Sequence, residues 1–366
     1  MGQGRATTTK GRAAIAAAGA PVRLSEVAAA AGVSSATVSR AFNVPAMVRE
    51  DVRARILAIA GDLGYVPHGA ARALASRRSR TLGAIIPTLN STIFARAIDA
   101  FQRRLEERGY IMLLTSSEYD AARELERARA LIERGVDGLM LVGAEHDPRL
   151  YELLEATGKP FINTWAPGRG ARHPAIGSDG RLLSEMAVDH LVGLGHREFG
   201  VVTGSAAHND RVAARLEGLG AALRRHRIAL PPERIIRRRY SIEEGRDAFA
   251  ALAAAGPLPT AIVCGNDILA CGVLFEALAR GISVPGELSI IGNGDLDISA
   301  HITPALTTIR TAKAEIGTWA ADYLLGRIEG REIALPGSLP TTLVVRGTTG
   351  PPPAGGRDRS LERRFV

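Results

Sequence analysis

The sequence predicts an α/β protein with a small all-helical head: three short helices, then a body of parallel sheets flanked by helices. Three observations carry that expectation. Apolar residues between Leu24 and Leu63 recur at helical spacing, and from Thr81 onward strand-like runs alternate with helix-like ones. Charge is the third. The chain holds 46 basic and 38 acidic residues, of which residues 1–80 hold twelve and four, so the 286 residues behind them are neutral overall. A basic front end on a neutral body is built to meet a polyanion at one end only.

A chain of 366 residues that is 46% hydrophobic has room for two or three cored domains. No run approaches the 18 or so apolar residues of a membrane helix, and no membrane partner is expected. Residues 1–20 superficially copy an export signal, with Arg5, Lys10 and Arg12 before an apolar stretch. That stretch is eight residues of mostly Ala and Gly, with Ile15 its one strongly apolar side chain. It reads as a flexible basic arm on a cytoplasmic, nucleoid-associated protein. Cys264 and Cys271, seven apart, match no zinc spacing and read as small buried side chains in a reducing compartment. No metal and no cofactor is expected. Residues 349–366, rich in Pro, Gly and Arg, read as a disordered tail.

Leu24, Val27, Ala28 and Ala31 stand at i, i+3, i+4 and i+7, one apolar helix face, and Gly32 ends that helix. Ser34 then offers a hydroxyl to cap a second helix over residues 35–43. Two short helices separated by about three residues are a helix-turn-helix. At about 100° per residue, Val38, Ala41 and Phe42 fall on the packing arc of the second helix, with Ser35, Ala36, Ser39 and Arg40 on the free arc. Val52, Ile56, Ile59 and Leu63 supply a third helix over 50–63. Such a motif lays its second helix in the major groove. There Arg40 can bond guanine O6 and N7 together, Ser35 a base edge and Ala36 a thymine methyl, while Thr37 and Ser39 suit phosphate. Outside this pattern Arg40 is an ordinary solvated charge.

The stretch resembles the DNA-binding domain of the lactose-repressor (LacI-type) family. The matching residues are Arg23 to Ala28, Ala31 to Ser34, Thr37 to Arg40, Asn43, and Leu63 to Pro67, without a gap. The resemblance implies double-stranded operator DNA as partner and a contact set of Ser34, Ser35, Ala36, Thr37, Ser39, Arg40 and Asn43, with domain limits of 21–66. One departure is visible: a Ser or Thr usually caps the third helix, and Arg49 stands there, at a cost of ~1 kcal/mol. Residues 67–80 read alone as a linker that is marginal as a free helix. The resemblance implies instead that Ala71-Arg72-Ala73-Leu74-Ala75 is a hinge helix. It would fold on operator DNA, pair with its twin in a homodimer and wedge Leu74 into the minor groove. The alternative for Leu74 is a staple that packs the linker onto its own domain.

In the body, strands are expected over 82–87, 111–114, 138–142 and 160–164, with helices over 93–108, 121–134 and 148–156. A second half opens on a strand over 175–177 and adds strands over 200–203, 261–264 and 288–291. Its helices fall over 181–194, 210–226, 242–255 and 267–280. Two lobes of this kind hold a ligand between them, at the carboxyl ends of their strands.

The family resemblance extends from about residue 22 to 348, through His190 to Arg197, Arg215-Leu216-Glu217-Gly218, Gly265-Asn266-Asp267, Val284-Pro285, Thr303 to Ile309 and Val345 to Thr348. It implies a two-lobed, periplasmic-binding-protein-like body over residues 81–348 that the chain crosses three times. Lobe 1 is then about 81–174 plus 311–330, and lobe 2 about 175–310 plus 331–348. Position by position it implies that Ile93, Phe94, Trp165, Asp179, Arg211, Arg215, Tyr240, Asn266, Asp267 and Lys313 face a small-molecule effector. For the aromatics the alternative is packing within a lobe, and for Arg215 a surface charge. Many sugar-binding members carry Gly-aromatic-Asp-Asp where this chain has Gly292-Asn293-Gly294-Asp295. Gly294 replaces the first carboxylate, and a cleft holding Arg211, Arg215 and Lys313 then favours an anionic effector, a small carboxylate such as a sugar acid.

Two other classes compete. A sugar-binding transport receptor shares such a body but needs an export signal and has no helix-turn-helix. An enzyme needs a reactive constellation, and the Gly-x-Gly at Gly292 to Gly294 is too weak for a dinucleotide site; no triad or nucleophile elbow stands out, and His190, His196 and His208 read as structural or surface residues. The expected activity is transcriptional regulation, most simply repression by a homodimer, with higher oligomers open. Effector binding would change lobe closure, hinge spacing and so operator affinity. An inducer and a corepressor would use the same cleft.

Overall fold

A computed structural model describes residues 22–67, 78–90 and 92–353. The basic arm, the hinge segment with Leu74 and the end of the tail lie outside the described residues. The chain divides into two compact units that meet between Ser79 and Arg80, within the expected linker.

The first unit is α1 (Leu24–Ala31), α2 (Ser35–Asn43), a turn of 3-10 helix (Pro45–Met47) and α3 (Glu50–Leu63). Val27, Val38 and Ile56, one from each α-helix, are completely buried and form its core. The expected cap is present, with Thr37 N–H donating to Ser34 Oγ at 3.1 Å. Arg49 makes no capping bond to α3 and pairs instead with Asp51 at 2.6 Å.

The second unit opens with β1 (Thr81–Ile86), α4 (Thr92–Glu106), β2 (Ile111–Ser116), α5 (Ala121–Glu133), β3 (Leu139–Val142), α6 (Pro148–Thr157), β4 (Phe161–Thr164) and β5 (Ala175–Ile176). These strands form one parallel sheet in the order β2-β1-β3-β4-β5. Then come α7 (Gly180–Gly193), β6 (Phe199–Thr203), α8 (Asp210–Arg225), β7 (Ile235–Arg237), α9 (Ile242–Ala254), β8 (Ala261–Cys264), α10 (Asp267–Ala279), β9 (Ser289–Gly294), α11 (Asp297–His301), β10 (Thr307–Thr311), α12 (Lys313–Ile328) and β11 (Thr341–Val344). The second sheet runs β11-β10-β9-β8-β6-β7, parallel except for β11. Both sheets are covered on both faces by helices, which is why their strands read as unbroken apolar runs. In the first lobe Leu82, Phe101 and Leu324 fill one side, and Ile85, Leu131 and Leu154 the other.

The chain crosses between lobes three times, as expected. The last long helix, α12, returns to the first lobe, where Gly317 lies so close to the backbone of α4 that any Cβ would collide with the Ala97 carbonyl. Two limits need correction. The strand expected to open the second lobe is β5, which pairs with β4 and completes the first sheet. Residues 331–339 also belong to lobe 1: Ile333, Leu335 and Leu339 pack in its core, and Leu339 N–H bonds Gly177 O at 2.8 Å beside the first crossing. The tail is likewise ordered further than its composition predicts. Thr349 Oγ1 lies 3.0 Å from His190 Nε2, and Gly350 O lies 2.9 Å from His196 Nε2. Among the described residues no helix is long and apolar enough to cross a membrane, and no cluster of three metal-ligating side chains occurs.

Candidate functional site

The first unit presents one free edge. Ser35, Ala36 and Arg40 are exposed on the side of α2 opposite the buried Val38 and Ala41. Ser34 and Thr37 share a hydroxyl hydrogen bond of 2.9 Å, and Asn43 Nδ2 donates to Ser39 Oγ at 3.2 Å. These four brace the ends of the helix and leave the other three unencumbered. Arg49 and Arg53 are paired with Asp51 and Glu50, whereas Arg40 has no acid partner among the described residues. Residues 22–67 hold five bases against four acids, so the front end's charge surplus lies on the segments flanking the fold.

In the second unit the strand ends of both lobes face a common cleft. Its inner chamber, of about 120 Å³, is lined by eight of the ten expected residues: Ile93, Phe94, Trp165, Arg211, Arg215, Tyr240, Asn266 and Lys313. Phe94 and Trp165 meet edge to face with ring centres 5.0 Å apart, forming the apolar wall. Trp165 adopts a left-handed backbone (φ 56°), sparsely populated for a bulky residue, where the loop after β4 turns into the chamber. Tyr240 is set by Gly204, at which any Cβ would collide with its hydroxyl.

Asp179 and Asp267 are the two exceptions, and each has another task. Asp179 caps α7 by accepting from Arg181 N–H at 2.9 Å. Asp267 is completely buried and accepts from Leu296 N–H (2.7 Å), Ser299 Oγ (2.8 Å) and Thr308 Oγ1 (2.5 Å), so it fastens the loop after β9 instead of facing the chamber.

The three expected cations are not equivalent. Arg211 is paired with Asp210 at 2.8 Å and also donates to Val142 O at 3.1 Å. Lys313 is buried and donates to the carbonyl of Gly294, near the Asp267 carboxylate; burial lowers its pKa against the pull of that carboxylate. Arg215 alone has no acid partner among the described residues. Burial lowers its pKa, partly opposed by the neighbouring Tyr240 and Tyr119 hydroxyls. Its Nε is sealed from solvent with no hydrogen-bond acceptor, and so are Ser178 Oγ and Asn266 Nδ2. The amide of Asn266 is oriented by its own cap, since Oδ1 accepts from Leu269 N–H at 2.9 Å and Nδ2 is left without a partner. Unsatisfied buried donors of this kind call for a partner.

Periodicity missed Tyr119, Ser178, Asn209, Asp210 and Asn293, which also line the chamber. Tyr119 sits on the loop after β2 with Glu118, both left-handed (φ 60° and 53°), and burial pushes its hydroxyl up to about 12. A protonated phenol there is a donor at any physiological pH.

An exposed helix edge of major-groove type and a two-lobed body with a polar cleft define a ligand-responsive transcriptional regulator. Residues 23–68 match the lacI family of bacterial regulatory proteins, and residues 188–349 match a periplasmic binding protein-like domain. The chain is 33% identical over 311 residues to the HTH-type transcriptional regulator GntR of Pseudomonas aeruginosa, covering 85% of this chain and 90% of that one. It superposes on a LacI-family transcriptional regulator of Silicibacter pomeroyi with a TM-score of 0.82 at 26% identity, over 90% of this chain and 99% of that one. The lac repressor dimer bound to operator and the anti-inducer ONPF superposes with a TM-score of 0.80 at 26% identity, over 90% and 100%. The chain belongs to the LacI family of bacterial regulatory proteins.

Proposed function

We propose that this regulator is a homodimeric, cytoplasmic repressor whose affinity for a pseudo-palindromic operator is set by a small carboxylate, of the sugar-acid class, held in the inner chamber. One observation carries the choice of ligand: Arg215, Asn266 and Ser178 line the same chamber, and each keeps a buried polar atom without a partner, Nε, Nδ2 and Oγ respectively. Three groups able to donate, one of them a guanidinium without a carboxylate, are complementary to an acceptor-rich anion. The Phe94 and Trp165 wall supplies the apolar face against which a sugar backbone lies. Charge balance among the other cations is closer than the sequence implies, since Arg211 has Asp210 and Lys313 has Gly294 O with Asp267 nearby. Arg215 therefore carries the specificity.

Binding between the lobes alters their closure, and closure is coupled to the paired hinges and to DNA. Ser35, Ala36 and Arg40 read bases, with Leu74, which lies outside the described residues, as the minor-groove wedge. The lac repressor dimer on operator is the precedent for the assembly.

Calorimetry against a panel of aldonic and uronic acids and the matching neutral sugars tests the ligand class. An acid should bind and its neutral parent should not, and Arg215→Ala should weaken the acid at least about thirty-fold, the scale of removing a buried charge partner. Tight binding of a neutral sugar, unaffected by Arg215→Ala, rejects it.

A further inference from the structure

We propose that His146 and Glu124 form a proton-dependent brace that positions residues 142–146, at the end of β3, for their contact with the second lobe. The contact between the lobes then tightens as pH falls and loosens as it rises. The inference concerns that contact alone and holds whichever effector the inner chamber takes.

The turn after β3 divides its backbone bonds between the two lobes. Val142 O accepts from Arg211 at 3.1 Å and Ala144 N–H donates to Asp210 at 2.6 Å, both on α8 of the second lobe. First-lobe groups take the rest. Gly143 N–H donates to Thr164 O at 2.9 Å, Ala144 O accepts from the Tyr151 hydroxyl at 2.9 Å, and Gly143 O lies 3.1 Å from His146 Nε2. Gly143 is left-handed (φ 104°), and a Cβ there would collide with the Arg211 guanidinium and the Asp210 carboxylate. The turn is thus shaped to touch α8, and His146 holds its middle carbonyl.

The ring of His146 is held on both sides. Its side chain is 2% exposed, and Nδ1 lies 2.7 Å from Oε2 of Glu124 on α5, itself 12% exposed. An ionised carboxylate and a carbonyl can only accept. A neutral imidazole has one N–H, so it bonds one of them and turns a lone pair on the other; a second proton satisfies both.

The surroundings favour that proton. The adjoining cavity, of about 370 Å³, is lined by Asp120, Glu145 and Asp147 from the first lobe and by His208 and Arg211 from the second. Asp147 is paired with Arg149 at 2.6 Å and Asp120 caps α5 through Arg123 N–H, so Glu124 is the carboxylate in contact with the ring. From α6, Tyr151 meets the ring edge to face at 5.6 Å, and His173, beside Arg172, stacks on Tyr151 at 3.9 Å. Burial pushes the Tyr151 and Tyr119 hydroxyls up to about 12, so neither changes charge near neutrality. The braced turn keeps a proton that the released turn gives up more readily, so closure is favoured at lower pH and lost as pH rises.

The test is hydrogen exchange on the full-length protein, reading residues 142–147 at roughly pH 6.5 and roughly pH 9, with correction for intrinsic rates and with β1 as internal reference. Wild type should lose about ten-fold or more of the protection of this segment at the higher pH, while β1 changes less than about two-fold. His146→Gln should show low protection at both values. Glu124→Gln separates a proton-dependent brace from a merely structural one. Its amide donates to a neutral Nδ1 or accepts from a protonated one, so protection should stay high throughout. Wild-type protection that is the same at both values overturns the brace, as does full protection in His146→Gln. So does a pH dependence that persists in either variant, which would assign the proton to His208 or His173, and so does low protection of Glu124→Gln at both values. Should His146→Gln fail to fold, the comparison of wild type with Glu124→Gln decides alone.

Discussion

Arg211, at the start of α8 in the second lobe, donates to the carbonyl of Val142 at the end of β3 in the first, across 3.1 Å. Its neighbour Asp210 makes the reciprocal bond, accepting from Ala144 N–H at 2.6 Å. The amino-terminal turn of α8 is thus tied to the opposite lobe by backbone contacts beside the ligand chamber. A second tie, Arg96 to Asp297, is exposed on the surface, where an ion pair contributes little. The latch at Asp210 should therefore dominate closure.

Asp210→Ala removes the acceptor of Ala144 N–H and the partner of Arg211 together. The loss of about 1–2 kcal/mol of closed-state interaction should weaken effector binding roughly five- to thirty-fold and enlarge the particle in small-angle scattering. Unaltered affinity and dimensions would show that closure does not depend on this contact.

Asp267→Ala should act on stability. Three donors, one of them a backbone N–H, lose a buried acceptor, a loss of about 3–5 kcal/mol. Chemical denaturation measures it, and a loss below about 1 kcal/mol contradicts the anchoring role.

Arg40→Ala should relax discrimination at one operator base pair by about 1–3 kcal/mol. Binding to a library of operator variants distinguishes this from a uniform loss over all sequences, which would make Arg40 a phosphate contact.

Acid should loosen the second lobe. His196 is buried with Nδ1 2.9 Å from Thr260 Oγ1 and Nε2 3.0 Å from Ser289 Oγ, in addition to its contact with Gly350. Burial lowers its pKa from 6.5, against the pull of the Gly350 carbonyl, and burial lowers that of His190 as well. Near pH 6.5 the unfolded chain takes up protons that the folded chain refuses. Stability is therefore intact above that pH and falls as pH drops through it toward the folded pKa values. Denaturant midpoints at roughly pH 7.5 and 5.5 should fall on acidification, less so in His196→Gln; a flat or rising midpoint contradicts the sign.

The three helices of the head were legible because Leu24 to Leu63 place apolar residues at helical spacing with Gly32 and Ser34 as punctuation. Both sheets were legible for the same kind of reason. The misplacement of β5 has a physical cause: a two-residue strand at a crossing has too few side chains to declare which sheet it joins. Asp179 and Asp267 each begin a helix at a strand's end, where a carboxylate serves equally as cap, anchor or ligand, and only the bonds made in the fold separate these. Tyr119 left no periodic signal because it stands on an irregular left-handed loop. Pro351 to Pro353 made the tail look disordered, while the bonds that hold Thr349 and Gly350 come from His190 and His196, more than 150 residues away in the chain.

The central claim is that an acid held at Arg215 governs the grip on DNA. It is tested by fluorescence anisotropy on an operator recovered by in vitro selection, with and without the acid found by calorimetry. Wild type should change its operator affinity by about ten-fold or more when the acid is added, and Arg215→Ala should bind the same operator without responding. An equal response from both proteins would contradict the account.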